Sequence, residues 1–436
     1  INSGMILNFD EFQKANQSGS ELNNIRIKNL NIFKQKGFPS KREENWKYTD
    51  LKTILSNNLN KLEIPNNKKT SQYNNEWILK NFQHNQIILV NGDFVSSDFS
   101  FEDKGKIKIK PLKMVLNGEK DFEKIRDYFT DQQNSLISLN HALVNDGIFL
   151  EIEDNYSFNK PLIIYNFFNK SSENKIINNK SFISLGKNSK LSLLEYYKAE
   201  DSIKYFNNTI HNYSIQKNAI LKKFSINNNL DNSYNYHLTN VKSYSNSIFE
   251  NFLFSSGSSF IKNEIHCDLL ESFSSCFVNA LIFLNNQQHH ELKTNVNHRH
   301  EHCKSSQLVK SVLLDKSNGT YQGKIYVEKN AQKTNGYQLS KALVLSENSA
   351  FNSKPELEIY ADDVKCSHGS TTGNIDQNSI FYLMSRGLSK EQANKMLVEG
   401  FLNEVIETIT ESNIQSLISK LFIDKINKTK FEINEH

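Results

Sequence analysis

Two short segments hold the side chains best suited to chemistry. The first is His298-Arg299-His300-Glu301-His302-Cys303, with His289 and His290 a little upstream. On a strand, alternation would place residues 298, 300 and 302 on one face, where three imidazoles and the Cys303 thiol could hold zinc or iron. The plainer alternative is an exposed coil edge in a chain rich in polar residues. The second segment runs from Glu356 to Ser370 and contains Cys366-Ser367-His368. Residues two apart on an extended backbone point the same way, so Cys366 and His368 would be presented together. A thiolate and a neutral imidazole are good ligands for iron or an iron–sulfur fragment. Two ligands do not close a four-coordinate site, so the rest must come from elsewhere in the chain or from a partner. A packed cysteine beside a surface histidine is the alternative.

Other chemistry is poorly represented. Gly319-Thr320-Tyr321-Gln322-Gly323-Lys324, followed by Ile325, is one residue short of a phosphate-binding loop and lacks its magnesium-holding hydroxyl. It leads into a strand-like run rather than a helix N-terminus, and it reads as a turn. There is no HExxH and no GxSxG elbow. The 52 basic and 48 acidic residues nearly balance, and the only arginines are Arg26, Arg42, Arg126, Arg299 and Arg386. Base-edge readout favours the arginine fork, so no nucleic-acid partner is expected. No run approaches the roughly 20 apolar residues of a membrane span, and no charged-then-apolar leader is seen, so the expected location is the cytoplasm. Cys267, Cys276, Cys303 and Cys366 lie at wide, irregular spacing and read as reduced thiols.

Three regions must position these segments. Residues 5–134 form a mixed, mainly helical region; Ile1 to Gly4, ahead of Met5, read as an appended remnant. Phe9, Phe12, Leu22, Ile25 and Leu30 suit amphipathic helices closed by Gly37-Phe38-Pro39. Arg42 to Leu51 reads as a cap packed by Trp46 and Tyr48, and Ile87–Val90 as a strand ending in an Asn91-Gly92-Asp93 turn. In residues 135–372, short β-branched and aromatic runs recur: Leu162–Tyr165, Leu191–Tyr196, Ile220–Ile226, Ile248–Phe254, Phe277–Phe283, Leu308–Leu314 and Lys324–Val327. With polar turn tracts between them, they favour a parallel β-helix over a large sandwich. Residues 373–436 are helical, with Asp376 as a cap, Gly387 as a stop, Ser389 and Gln392 as a capping box, and a last helix from about Ser412.

The run from Lys354 to His368 resembles the SufB/SufD family of iron–sulfur cluster assembly proteins. Ala331-Gln332-Lys333-Thr334 before it, and Phe381-Tyr382-Leu383 ahead of Ser385-Arg386-Gly387 after it, strengthen the likeness. Weaker similarity reaches back through Asp146-Gly147 and Asn140-His141-Ala142-Leu143 to Glu44–Thr49, so nearly the whole chain is covered. Gly369 stands where SufB-like members usually carry Glu, and the Glu44–Leu51 segment is similar to the SufD branch.

The resemblance implies a mainly β fold: a right-handed parallel β-helix flanked by α-helical N- and C-terminal domains. It implies a non-catalytic scaffold that pairs with SufB through the β-helix and docks the SufC ATPase on its C-terminal helices. Phe381, Leu383, Arg386, Gly387, Ala393, Leu397 and Phe401 are the docking candidates. ATP would be bound by SufC, sulfur would come from a partner desulfurase, and a flavin would accompany the complex. A homodimer is the alternative state when partners are missing. His368, with Cys366 beside it, would face SufB and share a transient iron–sulfur cluster with it. His298 and Cys303 match family positions as metal candidates, whereas His300 and His302 do not. Two rival readings are a metal-dependent enzyme built on His298–Cys303 and a purely structural β-solenoid.

Overall fold

The computed structural model describes residues 5–15, 20–59, 61–65, 71–229 and 232–431. From Asp146 to Gly373 the chain winds into a parallel β-solenoid of about 8 turns, with helices at both ends of the sequence. Each coil gives one strand to a nine-stranded sheet and one to a ten-stranded sheet. The register is regular. Phe260 pairs with His289, His289 with Asn318 and Asn318 with Ala350, a repeat of roughly thirty residues.

Asparagine makes one corner of this path. Asn155, Asn188, Asn218 and Asn246 all have positive φ, a region that asparagine tolerates better than most residues. Each donates its amide N–H to a carbonyl of the next coil, as Asn188 does to Lys217 and Asn218 to Ser245. The side chains of the first three also form a ladder, Asn218 Nδ2 to Asn188 Oδ1 at 2.8 Å and Asn188 Nδ2 to Asn155 Oδ1 at 2.7 Å.

The two sheets face different surroundings. The outer face of the ten-stranded sheet is apolar through Phe224, Phe252, Leu281, Phe283 and Val312. Helices Lys390–Ile406 and Ser412–Lys428 cover it with Val398, Leu402, Val405, Leu417 and Phe422. The nine-stranded sheet turns more polar residues outward, and the N-terminal region covers part of it. This difference explains which strands were legible. Six of the seven expected runs fall on strands of the ten-stranded sheet; Lys324–Val327 belongs to the other. Strands such as Tyr205–Ile215, Ser233–Ser243 and His289–His298 carry too much Asn, Ser and His to stand out.

Two expectations change. Gly319–Lys324 is not a turn; it lies within the strand Asn318–Val327. A Cβ on Gly323 would sit 2.1 Å from Gln338 Oε1, so this glycine makes room for buried side chains rather than cradling phosphate. The first 134 residues are also not wholly separate from the solenoid. Asn85–Val90 pairs in parallel with Leu162–Phe168, and Ile107–Pro111 pairs antiparallel with Asp146–Ile152. At the C-terminus the Asp376 cap and the Ser389–Gln392 capping box are both formed.

Glu44 to Thr49 straps the N-terminal region to the nine-stranded sheet. Trp46 is fully buried, 5.7 Å from the Tyr236 ring, and Lys262 Nζ lies 4.2 Å above its own ring. Lys262 donates to the Asn45 carbonyl (2.7 Å) and to Glu291 (2.8 Å), while the Thr49 hydroxyl donates to Glu291 (2.6 Å). Tyr48 is only half-buried. Replacing Trp46 with Ala should therefore cost about 3–5 kcal/mol in urea unfolding. Tyr48→Ala should cost clearly less, and an equal loss would contradict this anchoring.

Candidate functional site

A solenoid has two ends, and here they differ. At one end the antiparallel strands Asp93–Asp98 and Ile107–Pro111 flank the ten- and nine-stranded sheets. At the other end the sheets stop at Ala350–Ile359 and Val364–Gly373, with no further strand among the described residues. Every residue of these last two strands is half-buried or exposed. Lys354, Pro355, Glu356 and Glu358 lie on one of them; charge and proline are the usual means of keeping a free edge from indiscriminate pairing.

Cys366 and His368 lie on the other. Cys366 is in register with Gly336, and His368 with Gln338, which in turn lies over Gln307. Gln307 and Gln338 are buried inside the solenoid around the Tyr321 hydroxyl, which donates to Gln307 at 2.7 Å. Cys366 and His368 thus form the last layer of the interior columns, uncovered at the open end. Cys366 packs half-buried against Ile325, Val327, Ala331 and Ala361. Burial pushes its thiol pKa up, partly offset by a backbone hydrogen bond from Gly336, so it is protonated at neutral pH. His368 is exposed. The pair offers one sulfur and one imidazole on an uncovered face, with room for ligands from another chain.

The histidine cluster does not assemble. The strand His289–His298 ends at His298, and the turn that follows breaks the alternation. His298 is buried, with Nε2 2.8 Å from the Ser305 hydroxyl. His300 is exposed beside Ser272 at 2.8 Å, and His302 stacks on Phe273. Cys303 is buried, its thiol donating to the Glu271 carbonyl at 3.3 Å, and burial raises its pKa. Among the described residues, no group of three or more His, Cys, Asp or Glu converges as a metal site. The three-imidazole expectation is corrected on this geometry: His298, His300 and His302 do not share a face.

The C-terminal docking candidates divide by burial. Phe381 is 76% exposed, and Arg386 and Gly387 are exposed beside it. Leu383, Leu397 and Phe401 are half-buried, packed against the sheet-facing core. Ala393 is fully buried and cannot contact a partner directly. Three residues missed in the sequence join this surface: Tyr382, Met384 and Met396 are all exposed. Tyr382 and Met396 each lie two residues from a core position, Ile380 and Val398, and so on the opposite side of their helices.

Comparison with known proteins bears on the whole chain. The family described as "SUF system FeS cluster assembly, SufBD core domain" matches residues 167–401, and the "SufBD protein N-terminal region" matches residues 8–164. The chain belongs to the SufBD family. Iron-sulfur cluster assembly protein SufD of Escherichia coli K12 is 23% identical over 387 residues, 88% of each chain. An iron-sulfur cluster assembly SufBD family protein of Synechocystis is 24% identical, covering 92% of this chain and 91% of its own. Protein ABCI7, chloroplastic, of Arabidopsis thaliana is also 24% identical, over 93% and 86%. The SufBD core match takes in Cys366, His368 and the exposed helix surface up to Phe401.

His289, His290 and His298 are each depressed by burial to about 4. The unfolded chain takes up these protons near pH ~6.5, so it binds more protons than the folded state between ~6.5 and about 4. Stability should then fall as pH drops through that window. The melting temperature at pH 5 should lie below that at pH 7, and His290→Gln should narrow the gap; an unchanged gap would contradict the burial argument.

Proposed function

We propose that this chain is a SufD-type scaffold subunit for iron–sulfur cluster assembly, pairing with SufB through the open solenoid end and binding SufC through its C-terminal helices. The observation that carries this reading is the uncovered last coil, with Cys366 and His368 as its inward layer, in a chain of a cluster-assembly family. Its edge can accept a matching coil end by strand addition. A second copy of this chain takes the same face when SufB is missing. The cluster is cargo: SufB holds most of it, and His368, assisted by Cys366, supplies a ligand or a hydrogen bond from this side.

The exposed Phe381, Tyr382 and Met396 are the apolar part of the SufC surface, with Arg386 beside them. Helix Lys390–Ile406 is tied to the ten-stranded sheet by Lys310, whose Nζ donates to the Phe401 carbonyl at 2.8 Å and pairs with Glu404. SufC closing on ATP would pull this helix, and with it the sheet that ends in Cys366 and His368. The chain itself does no hydrolysis in this account; a partner desulfurase supplies sulfur, and a flavin travels with the complex without an assigned residue here. The assembly works in the cytoplasm.

His368→Ala should leave folding and the SufB–SufC complex intact while cutting anaerobic cluster reconstitution at least several-fold. A normal iron and sulfide yield would remove His368 from the site. Phe381→Asp combined with Met384→Asp should release SufC from the co-purified complex while SufB stays bound. Retention of SufC would place its docking surface elsewhere.

A further inference from the structure

The asparagine corner changes character towards the open end. Asn155, Asn188, Asn218 and Asn246 are followed in the next three coils by Phe273 (φ 62), His302 (φ 58) and Lys333 (φ 60). A bulky ring is poorly suited to left-handed backbone, and Phe273 is also 55% exposed. It is doubly misplaced for a structural residue, which points to a use for the ring. Phe273 stacks on His302 with centroids 4.8 Å apart and planes 9° from parallel.

A groove of about 420 Å³ runs past this pair, within the usual range for small-molecule sites. Lys304, Lys333 and Lys365 line it against a single carboxylate, Asp363. Lys333 pairs with Asp363, while Lys304 and Lys365 make no ion pair among the described residues. These two are held in line, because Lys304 is in register with Asn335 and Asn335 with Lys365. An aromatic platform next to ammonium groups projecting from aligned strand positions suits a planar ring that carries phosphate. The ring stacks on the aromatic side chain and the phosphates meet the lysines.

We propose that this groove binds a mononucleotide-class ligand, a heteroaromatic base with a phosphate chain. The site is separate from the open-end layer: Lys365 faces outward where Cys366 faces inward, so the proposal stands or falls independently of the cluster-assembly reading.

Calorimetric titration of the full chain with ADP, adenosine and inorganic pyrophosphate tests it at fixed ionic strength. ADP should bind, and adenosine and pyrophosphate should each bind at least about ten-fold more weakly. Phe273→Asn restores the residue type of the preceding corners and keeps the fold, and it should weaken ADP by about ten-fold. Lys304→Ala with Lys365→Ala should abolish measurable binding. The proposal is overturned if the unaltered chain ignores ADP, if pyrophosphate binds as tightly as ADP, or if Phe273→Asn has no effect.

Discussion

The in-register hydrogen bonding of each coil to the one before it is the constraint on which the rest depends. Every strand in the solenoid's interior is satisfied on both sides, but a stack of coils cannot close on itself, so its ends are left with free backbone groups. Antiparallel strands flank one end of this stack, and among the described residues none flanks the other. The position of Cys366 and His368 follows directly. They are inward residues of the last coil, brought to the surface only because no coil lies above them.

Register also governs what the solenoid can bury. Glu195, His211, Lys223 and His237 are all buried in the middle coils, an expensive choice unless each finds partners. Burial pushes Lys223 down to about 8, with Glu195 opposing, and raises Glu195 itself. Lys223 donates to the Thr239 hydroxyl at 3.2 Å, and His211 lies 3.6 Å from Glu195. A slip of one residue would turn these groups outward and put Lys222 and Phe224 inside, so the polar interior and the coil register reinforce each other.

How much of this was legible in the sequence depended on what each element faces. Strands under the C-terminal helices are apolar on both sides and stood out as continuous runs, as with Phe277–Phe283. Strands that bury Asn, Ser, His and Thr inside the solenoid, such as Ser233–Ser243, gave no comparable contrast. Polar turn tracts suggested stacked coils, yet the corner asparagines are single residues in left-handed backbone, visible only once the coils are aligned. Cys366 and His368 were legible because two-residue spacing holds on a strand. His298, His300 and His302 failed the same test because the strand ends at His298, a boundary that alternation alone does not mark. Tyr382 and Met396 were hidden among apolar helix residues until packing showed which of them the core takes.

The proposed role requires the uncovered coil to be the surface on which a partner completes the site. Amide hydrogen exchange of the full chain, with and without SufB, tests this most directly. The account predicts strong new protection across Val364–Gly373 and Ala350–Ile359, with little change at Asp93–Asp98 and Ile107–Pro111. Protection at those flanking strands, with the last two strands still exchanging freely, would contradict it.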